Sequence, residues 1–279
     1  MLERPPCNIC NLDNCEILVQ DGLSNIVRCR NCGLVYRNPR ESKEESLETY
    51  KYSYWTPLKK ESWYKRMMIF FERALKKIEK IEPKGRLLDL GCGFGYFLDL
   101  AKKRGWQAYG VEVSNSASQF ATQEFKLDIF QGELEDAQFA SNYFDVVAMW
   151  NVLEHLHDPL ALLKEVNRIL KKDGLVAMRV PNMDFQLPGF RFFKKIEKLA
   201  NIFRIDNPFV IHKYSFSKDT LKSILKTAGF KNIQVINSGL RNKPTTFINN
   251  IFFNLAQLVF YLSKGKVLIA SALEVYTLR

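Results

Sequence analysis

The run Leu87-Leu-Asp-Leu-Gly91-Cys-Gly93-Phe-Gly95 joins a short apolar strand pattern to a G-x-G-x-G turn, and a helical pattern begins at Tyr96. Such a turn between strand and helix lets the backbone approach a bound cofactor closely. Working outward, residues 108–113, 146–150 and 176–180 also read as strands, while 96–104, 115–125, 159–170 and 218–228 carry helical spacing. This alternation predicts an α/β fold, a doubly wound Rossmann-like parallel sheet with helices on both faces. Glu112 ends the strand after the glycine turn, 21 residues past Gly91. An acid there can accept hydrogen bonds from two ribose hydroxyls. A dinucleotide site would set its third glycine one residue later than Gly95, so the spacing disfavours NAD. Each glycine alone could be a plain turn and Glu112 a solvated strand end; together they point to a cofactor site.

The chain has 279 residues, 47% hydrophobic and 25% charged, a globular composition that excludes disordered and collagen-like classes. The longest uncharged stretch, 244–263, nears the ~20 residues of a membrane span, but Asn249, Asn250, Asn254 and Gln257 interrupt it. Glu3, Pro5 and Pro6 stand where a secretory leader would begin with basic residues, so a reducing cytoplasmic setting is expected.

Cys7-Asn-Ile-Cys10 and Cys29-Arg-Asn-Cys32 are two C-x2-C pairs separated by 18 residues. Residues 16–19 and 26–28 flank Asp21-Gly22 as a hairpin that would bring the pairs together into a tetrahedral four-sulfur zinc site. A closed set of four ligands leaves no place for water, so the zinc would hold structure only. Cys15 and Cys92 fit neither pair. The expected organisation is a zinc ribbon over 1–40, a helical linker or cap over 41–84, and a larger domain over 85–279 with a basic insertion at about 185–212. In the linker, Met67, Phe70, Phe71, Ala74, Leu75, Ile78 and Ile81 recur at helical spacing.

The motifs LLDLGCGFG, YGVEVS, QGELEDAQFASNYFDVV, NVLEHLHDP, LKKDGLVAMRVPN and HKYSFSKDTLKSILKTAGF occur in this order over about 85–236. With them the sequence resembles the class I S-adenosylmethionine-dependent methyltransferases, in particular the branch of the ubiquinone-biosynthesis O-methyltransferases. The run RCRNCGLVYRNPR resembles the zinc ribbon that precedes some methyltransferases of sugar or glycan pathways. The resemblance implies S-adenosyl-L-methionine as cofactor: Asp89, Gly91, Cys92 and Gly93 around its methionine part, Glu112 at its ribose, Glu133 and Leu134 beside its adenine. Many relatives carry Asp where Glu133 stands. Gly95 completes the turn, and Asn151, opening NVLEHLHDP, joins the cofactor set.

Methyl transfer from a sulfonium needs a positioned nucleophile and, for a hydroxyl, help with its proton. The chain has three histidines. His155 and His157 follow the fourth strand and His212 the fifth, where open parallel sheets bind ligands. His155 is the first candidate base, with Glu154 beside it and His212 next; His157 reads as more exposed. Glu154 and His155 could instead cap the turn into Pro159, and His212 could anchor the insertion.

The net charge of +11 is uneven: 107–170 holds ten acidic and three basic residues, 191–231 ten basic and three acidic. Within the insertion Phe192, Phe193, Ile196, Leu199, Ala200 and Phe203 share one helical face and Arg191, Lys194, Lys195, Lys198 and Arg204 the rest. Such a helix can pack on the domain, or act as a lid touching an anionic membrane that carries a lipid-linked substrate. A second apolar face runs through 251–262, and 267–277 reads as a final strand. The expected acceptor is a small molecule, glycan or lipid-linked intermediate, methylated on oxygen or carbon, with Tyr50, Tyr54 and Trp55 over its pocket. RNA methylation and a non-catalytic cofactor-binding module are the other readings. Glu3, Asp13, Glu16 and Asp21 balance Arg4, Arg28, Arg30 and Arg37 across the ribbon, which argues against a nucleic-acid surface there.

Overall fold

The computed structural model describes residues 2–52, 57–197, 202, 207, 209–238 and 270–279, and side chains within these except at 52 and 57–66. The N-terminal region contains β1 (Leu2–Glu3), β2 (Cys15–Val19), β3 (Asn25–Cys29), β4 (Val35–Asn38) and β5 (Arg40–Glu41). β2 and β3 form the hairpin that Asp21-Gly22 predicts, with Cys15 opposite Cys29. Helices α1 (Lys43–Tyr52) and α2 (Pro57–Ile81) follow.

The larger domain runs β6 (Arg86–Leu90), α3 (Tyr96–Lys103), β7 (Gln107–Glu112), α4 (Asn115–Phe125), β8 (Asp128–Gln131), β9 (Phe144–Trp150), α5 (Pro159–Ile169), β10 (Leu170–Pro181), α6 (Met183–Lys195), β11 (Tyr214–Ser215), α7 (Lys218–Thr227), β12 (Lys231–Ser238) and β13 (Ala272–Leu278). The four strands and four helices expected from periodicity are present within a few residues. β8, β11 and β12 are additional. The sheet order is β12-β13-β10-β9-β6-β7-β8, parallel from β10 to β8, with β13 antiparallel to both neighbours. It is therefore a parallel-dominated Rossmann-like sheet. The described part of the expected last strand lies inside the sheet between β10 and β12.

Alternating residues of each strand face opposite ways. Leu87, Val146 and Ala148 pack with α2, α3 and α4 through Met67, Phe70, Phe71, Phe97 and Ala121. Leu88, Leu90 and Val147 pack with α5 and α7 through Leu163, Val166, Leu221 and Ile224. Local signals fix the helix starts. Asp158 accepts from the Ala161 amide at 2.9 Å, with Pro159 at the first helical position of α5, and Ser217 and Thr220 cap each other at the start of α7.

The cysteine-bearing region is not a separate bead. β11 pairs antiparallel with β4, Tyr214 opposite Tyr36 and Ser215 opposite Val35, so the four-stranded sheet β11-β4-β3-β2 draws one strand from beyond α6. Cys7, Val27, Cys29, Leu34 and Tyr36 share one core with Leu88, Val147 and Leu221.

In α6, Met183, Leu187 and Phe190 are buried while Phe192 is 63% exposed. The packed face thus begins earlier than the spacing of Phe192 and Phe193 predicts. Residues 198–201 and 203–206, Tyr54, Trp55 and 251–262 lie outside the described residues. Among the described residues no helix is long and apolar enough to cross a membrane.

Candidate functional site

Past β6 the chain turns through Gly91, Gly93 and Gly95 at φ values of +64°, +54° and +77°. Side chains rarely tolerate that region. A Cβ on Gly91 would lie 2.8 Å from Val152 Cγ2, and one on Gly95 2.8 Å from Ala121 Cβ, so the turn is pressed against the segment after β9 on one side and α4 on the other. The amides of Gly91 and Cys92 both donate to Val111 O, at 2.8 and 3.2 Å. Glu112, 8% exposed, then closes the loop: its carboxylate accepts from the Gly93 amide and the Ser114 amide, each at 2.8 Å.

A cavity of about 470 Å³ opens at the carboxyl ends of β6, β7 and β9, the place where the winding of the sheet reverses. Gly91, Glu112, Glu133, Leu134, Asn151, His155 and His157 line it. Helix α1 roofs it with Lys43, Ser46, Leu47 and Tyr50, and Lys43 Nζ meets Glu133 Oε2 at 2.9 Å. Asn151 sits in the left-handed region, φ +59°, where its Oδ1 accepts from Arg179 at 2.6 Å and its amide donates to Arg179 O at 2.8 Å. Nothing in the sequence pattern marks Arg179, because its role depends on the pairing of β9 with β10.

Asp89, Cys92, Gly93 and Gly95 lie behind this lining. Asp89 is 2% exposed, and its Oδ1 has no hydrogen-bond partner among the described residues. Burial, with Glu112 nearby, pushes its carboxyl well above the usual range. The Cys92 side chain turns into the core, close enough to Gly110 that a Cβ there would sit 2.8 Å from its sulfur.

Four side chains converge beside the cavity, of which Tyr50 and His155 line it. His155 Nδ1 lies 2.9 Å from the Tyr50 hydroxyl, His155 Nε2 lies 3.9 Å from Glu154 Oε1, and the His155 and His212 rings are edge to face at 4.6 Å. Glu154 is 1% exposed and neither carboxylate oxygen has a hydrogen-bond partner among the described residues; burial raises its pKa to about 8. Burial, helped by Arg37, lowers His212 to about 4. His212 does not line the cavity; it backs His155. His157 is not the more exposed histidine: its side chain is 19% exposed against 36% for His155, and its Nε2 contacts Glu3 Oε1 at 2.7 Å.

The four paired cysteines meet as their spacing predicts. Cys7 and Cys32 sulfurs are 3.3 Å apart, Cys10 and Cys29 3.5 Å, and all four lie within 4.8 Å of one another. Tetrahedral zinc with bonds of about 2.3 Å would space its sulfurs by about 3.8 Å, so the set fits such an ion. Burial, with Cys32 beside it, pushes the Cys7 thiol up, which an ion bound to its thiolate would reverse. Seams join this cluster to the cavity. Asn8 bonds Asp158, Arg37 Nε donates to Ile211 O at 2.9 Å, and the Arg37 amide donates to Lys213 O at 2.9 Å on either side of His212.

Residues 62–235 match the family model described as a methyltransferase domain. The chain belongs to the methyltransferase-domain family. A Mycobacterium tuberculosis protein carrying the name "Probable S-adenosylmethionine-dependent methyltransferase" is 27% identical to this family member over 183 residues, 65% of the chain and 60% of that protein. The chain thus matches about 60% of that relative's length. The ubiquinone/menaquinone biosynthesis C-methyltransferase of Geotalea daltonii is 29% identical over 58% of the chain and 76% of its own length. Among solved structures, a Haemonchus contortus phosphoethanolamine N-methyltransferase bound to S-adenosyl-L-methionine aligns with a TM-score of 0.61 at 15% identity, covering 94% of the chain and 70% of its own. An Archaeoglobus fulgidus S-adenosylmethionine-dependent methyltransferase aligns at 0.51 with 20% identity, covering 77% and 94%. These likenesses show the methyltransferase fold.

Proposed function

We propose that this chain transfers the methyl group of S-adenosyl-L-methionine to an oxygen or carbon of a small-molecule, glycan or lipid-linked acceptor. One observation carries the reading: Gly91 of the glycine turn, Glu112 and His155 line a single cavity. Bound there, the cofactor supplies an electrophilic methyl on a sulfonium. Glu112 holds the ribose hydroxyls, Gly91 lets the methionine part lie against the backbone, and Leu134 with Glu133 flanks the adenine. Asn151, fixed by Arg179, lines the same cavity. Asp89 lies behind the turn on the side of the methionine part, Gly93 and Gly95 keep the loop closed, and Cys92 contributes through its backbone. His155, oriented by Tyr50 and backed by Glu154 and His212, takes up the acceptor's proton, and α1 keeps water out while it does so.

In the same reading Cys7, Cys10, Cys29 and Cys32 hold one zinc that serves structure. Residues 1–40 form the ribbon, 41–84 the cap and 85–279 the transferase domain. The basic face of α6 meets an anionic membrane surface when the acceptor is lipid-linked, and the protein works in the cytoplasm.

Methyl-labelled cofactor and purified protein, incubated with small-molecule, lipid and RNA fractions of the source cell, test the reading. Label in either of the first two supports it. Label in RNA promotes a nucleic-acid substrate, and cofactor binding without labelling of any fraction leaves a binding module.

A further inference from the structure

Beside the cavity two cations are buried together. Arg40 on β5 is 5% exposed, and Lys213, the residue before β11, is 9% exposed. Lys213 Nζ donates to Ser46 Oγ and lies 5.8 Å from the centre of the Tyr50 ring. Arg40 Nε and His157 Nε2 converge on one oxygen, Glu3 Oε1, at 2.9 and 2.7 Å. Ser46, Tyr50 and His157 line the cavity, so both cations stand one side chain behind its wall. Burial, then Arg40, lowers the His157 pKa, with Glu3 opposing and Lys213 adding to the effect; the four groups face one another.

The acids that answer these cations are held differently. Glu3 is 36% exposed, and Glu41, 3.1 Å from Lys213 Nζ, is 45% exposed. Glu3 belongs to β1, a strand of two residues whose sheet partner among the described residues is β5 alone. A half-exposed carboxylate regains water when it swings away, whereas a buried ammonium or guanidinium left alone is strongly destabilising. The cations are thus fixed and the carboxylates exchangeable. Tyr214 stiffens the arrangement, since its hydroxyl accepts from Arg40 Nη1 and donates to His157 O at 3.2 Å.

We propose that Arg40, Lys213 and His157 form a seat for a carboxylate or phosphate group of the acceptor, filled by Glu3 until the acceptor displaces it. Both groups present the paired oxygens that a guanidinium fork and an ammonium recognise. The proposal rests on the transferase reading and narrows it. The favoured acceptor is an acid, held through its charge beside His157 while its nucleophile lies against His155 in the same cavity. A neutral acceptor gains nothing from the seat and leaves Glu3 in place.

Inorganic phosphate and malonate, each titrated into full-length protein at constant ionic strength, test the seat through the imidazole resonance of His157. The expected result is binding that shifts this signal and is roughly tenfold tighter in Glu3→Gln, where the internal carboxylate no longer competes. Adding Lys213→Met to that variant should weaken binding roughly tenfold again. The tighter of the two probes tells a phosphate from a carboxylate. Should the double variant fail to fold, Arg40→Lys in the Glu3→Gln background gives the reading, with the same expected loss. Equal affinity in parent and Glu3→Gln, equal affinity after the second substitution, or binding that leaves the His157 signal in place overturns the seat. Methyl-labelled product from the cell fractions should also be retained on an anion-exchange resin; a neutral labelled product overturns the assignment to the acceptor. Neither methyl donor nor acceptor enters the titration, so failure of the seat and failure of the transferase reading are told apart.

Discussion

Asn8, set between the first two cysteines, donates its side-chain amide to Asp158 Oδ1 at 2.8 Å and accepts the Leu160 amide at 3.0 Å. It thereby shares the capping of α5 with Asp158, 150 residues away. Replacing one cap hydrogen bond usually costs about 1 kcal/mol. Asn8→Ala should lower stability by about 1–2 kcal/mol in urea unfolding and leave S-adenosylhomocysteine affinity within about twofold. A neutral effect on stability would mean that this seam carries no load.

Loss of the proposed zinc should be felt throughout the chain. Cys7 and Cys29 belong to the same core as Leu88 and Val147, so Cys29→Ser should lose one zinc per chain and move a single calorimetric transition downward. A small early transition with the main one unmoved would show the cysteine region melting alone.

Gly91 combines φ +64° with contact to Val152. An alanine there pays the left-handed penalty of about 1–2 kcal/mol and must also displace Val152. Gly91→Ala should weaken S-adenosylhomocysteine binding at least tenfold by calorimetry while circular dichroism stays unchanged. Unaltered affinity would detach the turn from the cofactor.

Asp89 gives a pH dependence. Burial, then Glu112, raises its pKa in the fold above the unfolded value near 3.8, so the folded chain keeps a proton that the unfolded chain releases. Its contribution is absent below that value. Stability then falls as pH rises, by at most about 1.4 kcal/mol per unit, until the raised value is passed. Asp89→Asn should therefore be more stable than the parent at pH 8, with the gap narrowing toward pH 4. Parallel urea midpoints for both proteins at the two pH values would count against an uncharged Asp89.

The glycine turn, Glu112 and the cysteine pairs were legible because each is written in a few neighbouring residues under strong local constraint. Tyr50 could be named for the pocket, but its bond to His155 could not, since it spans 105 residues. The pairing of Tyr214 with Tyr36 was equally hidden, because a two-residue strand has no period. The orientation of Cys92 depends on the missing side chain of Gly110 across the sheet. The α6 face was misplaced because Phe192 and Phe193 repeat helically in the sequence, while burial is set by β3, β4 and Ile211, which take Met183, Leu187 and Phe190 instead.

The place of β13 governs how the sheet can be assembled during synthesis. Among the described residues β12 touches the rest of the sheet only through β13, so until residues 272–278 have left the ribosome the edge of β10 lacks its described partner on that side. An open edge flanked by apolar residues invites pairing with another chain. The last seven-residue strand therefore works as a closing stitch, and a nascent chain stalled before Ala272 would be the form most exposed to chaperones and to aggregation.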